Sequence, residues 1–298
     1  MASSEVVELR SSELRAAFAP NVGMVGCSLT HRGEELLGQR DGLAGYRERG
    51  STFGIPLLYP WANRLGAYEY SAGGRTVELA RDSIKLDPNG LPIHGLLAAY
   101  PGWEVSEADT RSLVARLDWA ADPRLMAGFP WPHELRLEVE LSGGELTVAT
   151  SVAPATDDPV PVSFGWHPYL RLPGVPRPEW RVELPVRARA ELDERGLPTG
   201  AVEAVAPPPG PLGDRSYDDL FPELASPAVF ALEGGDRRIE VELLEGYPLA
   251  QVYAPPGQEL ICFEPMTAPT NALVTGGGLR WAPAGEGFRA TFRIRVRS

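Results

Sequence analysis

Between residues 134 and 152 the chain alternates in polarity. Leu135, Leu137, Val139 and Leu141 are apolar, and Glu134, Arg136, Glu138 and Glu140 between them are charged; after Ser142-Gly143-Gly144 the alternation resumes through Leu146 and Val148 toward Val152. Successive side chains on a strand point to opposite faces, so a period of two buries one face and wets the other. The glycines between the two runs mark a hairpin turn. The same design recurs at residues 67–79 around Gly73-Gly74 and at residues 229–243 around Gly234-Gly235. The chain closes on Phe288, Ala290, Phe292, Ile294 and Val296 alternating with Arg289, Thr291, Arg293, Arg295 and Arg297, a strand with one core face and one wet face. No window sustains a 3.6-residue period with caps, and 30 prolines with 32 glycines interrupt the chain too often for long helices. The expected class is all-β and antiparallel.

With 43% hydrophobic residues the chain has material for a substantial core. Its length of 298 residues leaves the domain count open, because β-sandwiches and barrels often use roughly 200–250 residues as one unit. The proline cluster Pro207-Pro208-Pro209 with Pro211 is flanked by strand-like pieces without a shift in composition, which favours a long surface loop over a linker. One domain over residues 1–298 is the expectation.

Asp and Glu number 40 against 28 Lys and Arg, a net charge of -12 spread along the chain. That sign argues against nucleic acid, whose binding needs a basic stripe, and against anionic membrane surfaces. No run approaches the roughly 18 apolar residues of a spanning helix, and Glu5, Glu8 and Glu13 stand where a signal peptide would be apolar, so the expected location is cytoplasmic. Cys27 and Cys262 have no spacing that suggests a metal knuckle or a disulfide framework. Lys85 is the only lysine, so a Schiff-base or phosphate-gripping lysine is excluded anywhere else.

Four histidines carry the remaining interest. His31, beside Arg32-Gly33, and His133, after Pro132, read as exposed turn residues. His94 in Pro92-Ile93-His94-Gly95 and His167 in Gly165-Trp166-His167-Pro168-Tyr169 leave regular strands beside Gly or Pro, where a ring can face a cleft or pack as structure. Glu264 ends the apolar run Leu260-Ile261-Cys262-Phe263 and is either at a rim or in a pocket where burial raises its pKa. Residues 53–66 run apolar and aromatic into Asn63-Arg64; the arginine either caps a loop or offers its five-donor fork to hydroxyls.

Taken in order, Pro60-Trp61-Ala62-Asn63-Arg64 with Gly66, Ile93-His94-Gly95, Gly165-Trp166-His167-Pro168-Tyr169, Tyr217-Asp218-Asp219-Leu220-Phe221 and Cys262-Phe263-Glu264-Pro265-Met266-Thr267 resemble the aldose 1-epimerase (galactose mutarotase-like) family, in its bacterial branch. The resemblance runs from about Ser51 to the C-terminus. It implies a large antiparallel β-sandwich, Glu264 as catalytic base, His167 as catalytic acid, and Arg64, His94, Asp218 and Gln251 as sugar-binding residues. Asp218 is preferred to Asp219 by the family spacing. On an extended strand only one of the two faces the sugar, although Asp219 with Tyr217 and Phe221 would also make a platform.

Converting one anomer of an aldohexose to the other requires taking the proton of the C1 hydroxyl and delivering one to the ring oxygen. A carboxylate and an imidazolium on opposite sides of the C1–O5 bond suit that task, and no metal or redox cofactor is called for. Glu ionised and His protonated coexist only in a narrow window, which a carboxylate such as Asp218 would widen by raising the histidine's pKa. Trp61, Trp166 or Tyr169 would give the pyranose a flat wall, or belong to the core.

Four rivals use similar residues. An iron site of cupin type has two histidines and a carboxylate, but His94 and His167 do not form a His-x-His pair. A glycoside hydrolase would use Asp218 with Glu264 and leave His167 without a task. A sugar-binding protein without activity has no need of both Glu264 and His167. A hexose-6-phosphate 1-epimerase is the nearest alternative, with Arg47, Arg49 or Arg171 as cations for the phosphate.

Overall fold

The computed structural model describes residues 6–298; Met1 to Glu5, and so the first of the acidic residues weighed at the start, lie outside them. Its largest sheet has eight strands, in the order Arg181–Glu183, Ala228–Gly234, Arg237–Glu245, Phe288–Arg297, Glu145–Pro154, His133–Ser142, Ser112–Asp118 and Glu104–Ala108, all antiparallel. The period-two segments are its centre. Leu135, Leu137, Val139 and Leu141 are at most 1% exposed, and Leu146 and Val148 across the Gly143-Gly144 turn are fully buried. The closing strand lies between the two hairpins, with Ala290, Phe292, Ile294 and Val296 inward.

A second sheet runs Tyr217–Phe221, Leu249–Ala254, Ile261–Met266, Gly165–Trp166 and Leu57–Leu58, with Tyr169–Leu170 also pairing on Ile261–Met266. The two sheets face each other as a β-sandwich. Phe230 of the first meets Phe263 of the second at 5.4 Å between ring centres, and Trp166 of the second meets Phe292 of the first at 5.8 Å. One apolar cluster continues from Leu9 to Val296. The hydrogen bond from Trp166 Nε1 to Thr150 Oγ1, 3.1 Å long, satisfies the hydroxyl that Thr150 carries into this core.

The N-terminal strands Val7–Arg10, Leu14–Ala19, Val25–His31 and Glu34–Glu35 form a separate sheet. Helices are short, the longest being Gly42–Arg49, and no helix among the described residues is long and apolar enough to cross a membrane. The proline cluster is a loop, held by Arg215, which donates to the carbonyls of Pro208, Gly210 and Leu212.

Two histidines differ from their expected place. His31 ends its strand 1% exposed, and His133 is equally buried, with Nδ1 donating to the Trp131 carbonyl and Nε2 accepting from the Tyr59 hydroxyl, both at 2.6 Å. The His133 ring stacks on Trp119 at 5.0 Å. Burial pushes its pKa down to about 4, so it is a neutral structural side chain. Proline before a strand marked the chain's entry into the sheet, not an exposed turn.

Candidate active site

The second sheet turns its other face outward, and there its polar side chains gather. Gln251 is directly opposite Glu264 in the register, and Asp218 is opposite Tyr253. Opposed residues of an antiparallel pair share a face, as do residues two apart on one strand, so Asp218, Gln251, Tyr253 and Glu264 stand together. Asp219 points the other way, with Oδ1 3.4 Å from Arg189 Nη1. All six residues of Ile261–Met266 are buried because the sandwich core covers Phe263 and loops cover Glu264.

Those loops come from four places: the turn at Arg40, the segment from Thr52 to Arg64, the segment from Lys85 to His94, and the sharp passage through His167. They close a cavity of about 250 Å³ against the sheet. Glu264, His167, Arg64, His94, Asp218 and Gln251 all line it. A larger concavity of about 670 Å³ lies over the N-terminal sheet, but its charged residues Glu8, Arg10, Glu13, Arg15 and Arg32 are all exposed.

Close backbone approach sets the cavity walls. A Cβ at Gly165 would stand 2.7 Å from the Pro265 carbonyl oxygen, so only glycine lets this strand lie against the one that carries Glu264. His94 and Gly95 are both left-handed, at φ 67° and 72°, and a Cβ at Gly95 would strike the Tyr59 backbone at 2.1 Å. A left-handed non-glycine residue is strained, and such strain concentrates at functional sites.

His167 Nε2 stands 3.2 Å from Glu264 Oε1, with the two side chains only 6% and 3% exposed. The imidazole stacks flat on Tyr169 at 4.3 Å and meets the edge of His94 at 5.6 Å. Arg64 Nε donates to Asp87 Oδ2 at 2.7 Å, and Asp87 is fixed by the backbone N–H groups of Asn89 and Leu91. Gln251 Nε2 donates to Asp218 Oδ1 at 2.8 Å. Three polar atoms of lining residues, Nδ1 of His94, Nδ1 of His167 and Oε1 of Gln251, have no protein partner although they are buried.

Burial dominates the titration of the central pair. It raises Glu264 well above the usual carboxylate range; Asp218 pushes the same way and Arg64 against it. Burial lowers His167 to about 3, helped by the positive charges of Arg40 and Lys85. Both shifts run against the expected pairing of an ionised Glu264 with a protonated His167, and Asp218 acts by raising Glu264, not His167. The pair also touches, where the expectation placed its members across a bond from each other.

The family model described as Aldose 1-epimerase matches residues 5–295. The chain belongs to the aldose 1-epimerase family. Among solved structures of this architecture are a galactose mutarotase-like protein from Clostridium acetobutylicum, 19% identical over 98% of this chain and 94% of that one with a TM-score of 0.85, and a protein from Synechocystis, 23% identical over 100% and 99% with a TM-score of 0.79. A galactose 1-epimerase from Lactobacillus acidophilus is 17% identical over 100% and 96%, at a TM-score of 0.73. At such identities the likeness is one of fold. No curated protein sequence matches the chain significantly.

Within this aldose 1-epimerase family cavity, several lining residues escaped the motif reading. Arg40, Thr52, Lys85, Asp87 and Tyr253 carried no local signal that separated them from ordinary loop or strand residues. Of the three aromatics weighed as a sugar wall, Tyr169 lines the cavity, while Trp61 and Trp166 are fully buried and do not. Arg47, Arg49 and Arg171 do not line it either. Among the described residues no three His, Cys, Asp or Glu side chains are placed to hold a metal ion.

Proposed function

We propose that the protein interconverts the α and β anomers of an aldohexose by acid-base opening and closing of the pyranose ring, and that residues 1–298 work as one unit. The observation that carries the reading is the buried Glu264–His167 contact at 3.2 Å in a cavity that also holds Arg64, His94, Asp218 and Gln251. Ring opening takes one proton from O1 and gives one to O5, two oxygens on the same carbon. A touching pair that shares a single proton can address both.

Glu264 is the base and His167 the acid in this reading, which requires the shared proton to lie on His167 when the sugar is bound. Sugar hydroxyls donating to Glu264 favour its ionised form, since a hydrogen bond to the charged state lowers a carboxyl pKa. Ring closure returns the protons with the roles exchanged. Arg64, held by Asp87 through Nε and by Asn63 through Nη1, keeps Nη2 for a sugar hydroxyl. The unpartnered atoms of His94, His167 and Gln251 suit a ligand dense in hydroxyls, because a buried polar group without a partner is costly.

Exchange spectroscopy by NMR, following the α and β signals of a panel of free aldoses after exhaustive chelation, tests the reading. Accelerated exchange without aglycone release from a chromogenic glycoside is the expected result. Aglycone release would favour a hydrolase, and no exchange with any aldose would remove the epimerase reading.

A further inference from the structure

The geometry points to a substrate that carries an anionic group at C6, a carboxylate or a phosphate monoester, seated between Arg40 and Lys85; this rests on the epimerase reading of the same cavity. Both cations line it, and neither has a carboxylate partner among the described residues. Arg40 donates through Nη1 to the Thr52 carbonyl at 3.2 Å and to the Tyr169 hydroxyl at 3.3 Å, which leaves Nε and Nη2 free. Lys85 Nζ donates to the Gly50 carbonyl at 2.7 Å and has two further protons to offer. Neutral acceptors thus orient both groups without neutralising either.

Their position relative to the acid-base pair fits C6. Glu264 touches His167, His167 stacks on Tyr169, and the Tyr169 hydroxyl meets Arg40, whose guanidinium carbon lies 5.5 Å from that ring's centre. Arg40 is therefore one aromatic ring beyond the histidine assigned to O5. In a pyranose C6 is borne by C5, the ring atom next to O5, so its substituent extends past the group that serves O5.

Arg40 reaches solvent at the cavity mouth, and Lys85 stands half-buried beside it. Burial and the neighbouring Arg40 charge push Lys85 down to about 8, and no carboxylate opposes the shift. Both positive charges also lower His167 and His94. The carboxylates of the cavity are engaged elsewhere: Asp87 with Arg64, Asp218 with Gln251 and Glu264 with His167. An anion bound there would receive charge-assisted hydrogen bonds from a planar fork and an ammonium.

The test compares kcat/KM from exchange NMR for glucose, glucuronate and glucose 6-phosphate, and for galactose, galacturonate and galactose 6-phosphate, at constant ionic strength. One anionic sugar should exceed its neutral parent by about 10-fold or more, the scale of charge-assisted contacts, and which one it is separates carboxylate from phosphate. Arg40→Gln and Lys85→Met should each lower that ratio by about 10-fold, mainly through KM, while Arg49→Gln, outside the cavity, leaves it unchanged. Lys85 shares the cavity with the cations Arg40 and Arg64, the carboxylates Asp87, Asp218 and Glu264 and the rings of His94 and His167, and burial with the Arg40 charge sets its titration, so the ratio should fall above about pH 8 as Lys85 loses its proton, and hold there in Lys85→Arg. Exchange of the neutral sugars at equal or greater kcat/KM overturns the anion seat and leaves the epimerase reading standing. If no sugar exchanges, the epimerase reading falls; calorimetric binding of the anionic sugars then decides, since binding that Arg40→Gln does not weaken overturns the seat as well.

Discussion

On the outer face of the eight-stranded sheet, each arginine of the last strand meets a carboxylate: Arg289 with Glu138, Arg293 with Glu242, Arg295 with Glu145 and Arg297 with Glu240. Arg238 on the neighbouring strand reaches Glu183, Glu233 and Glu240. In the cavity on the second sheet, only Arg64 is paired in this way, and Arg40 and Lys85 face carbonyls, a hydroxyl and each other's charge. The same chain supplies both regions, so the contrast separates charges that close on themselves from charges left open. The first kind organises a surface; the second is fit to receive a visitor.

The largest break of that contrast is expected at the buried pair. Glu264→Gln and His167→Asn should each lower kcat by roughly 10²–10⁴-fold, the range of general acid-base catalysis, while circular dichroism and melting show the fold intact. Turnover close to wild type in Glu264→Gln would take the base away from Glu264.

Acid should separate the two regions by pH window. His133 titrates near 4 when folded and near 6.5 when unfolded. Between those values the unfolded chain binds a proton that the folded chain refuses, so stability falls as pH falls from about 6.5 to 4, by about 3 kcal/mol for this residue. His167, lowered for the same reason, adds to the slope. The outer face behaves differently. The hydrogen bond from Arg295 holds Glu145 below its ordinary 4.5, so its contribution is present above that value and is lost only as pH falls below it. Denaturant titrations at several pH values should show a first loss that His133→Gln flattens and a later one that it does not. Glu264, raised by burial, acts in the opposite sense in this window, so the His133 contribution is read from the difference between wild type and His133→Gln, and a slope that this variant leaves unchanged would contradict the buried neutral His133.

A smaller effect distinguishes neighbours on one strand. Asp218→Asn should reduce kcat/KM by about 10-fold, since it removes a charged acceptor from the cavity, and Asp219→Asn should leave kinetics unchanged. The reverse pattern would mean that the sugar binds on the opposite face of this strand. Smallest of all is Arg293→Met on the outer face, expected to cost about 1 kcal/mol or less, to shrink further in added salt and to leave turnover alone.

The alternating segments made the large sheet legible, because period two is a local property that the chain states residue by residue. Motifs also led to the six residues that the fold brings to one cavity, although they lie as far apart as Arg64 and Glu264. Arg40 and Lys85 were not legible in this sense. Nothing near them in the chain announces a shared cavity, and only the meeting of two distant loops puts both beside His167. The direction of the pair's titration was not legible for a related reason: the sequence shows that a carboxylate and an imidazole are present, but the burial that raises one and lowers the other comes from the fold. His133 shows the same limit, since its partners Tyr59 and Trp131 come from a turn and a strand entry that only the folded chain unites.

Ile261–Met266 has the sandwich core on one side and the cavity on the other. A lineage descending from this chain therefore has two regions that can drift at different speeds. Any change that moves Phe263 also moves Glu264, so the reacting groups are tied to the most constrained part of the molecule. Arg40 is exposed and Lys85 half-buried, both on loops outside the two sheets, so their side chains can be exchanged without repacking the core. In the proposed reading, new sugar preferences arise by exchanging the rim while Glu264 and His167 keep their places.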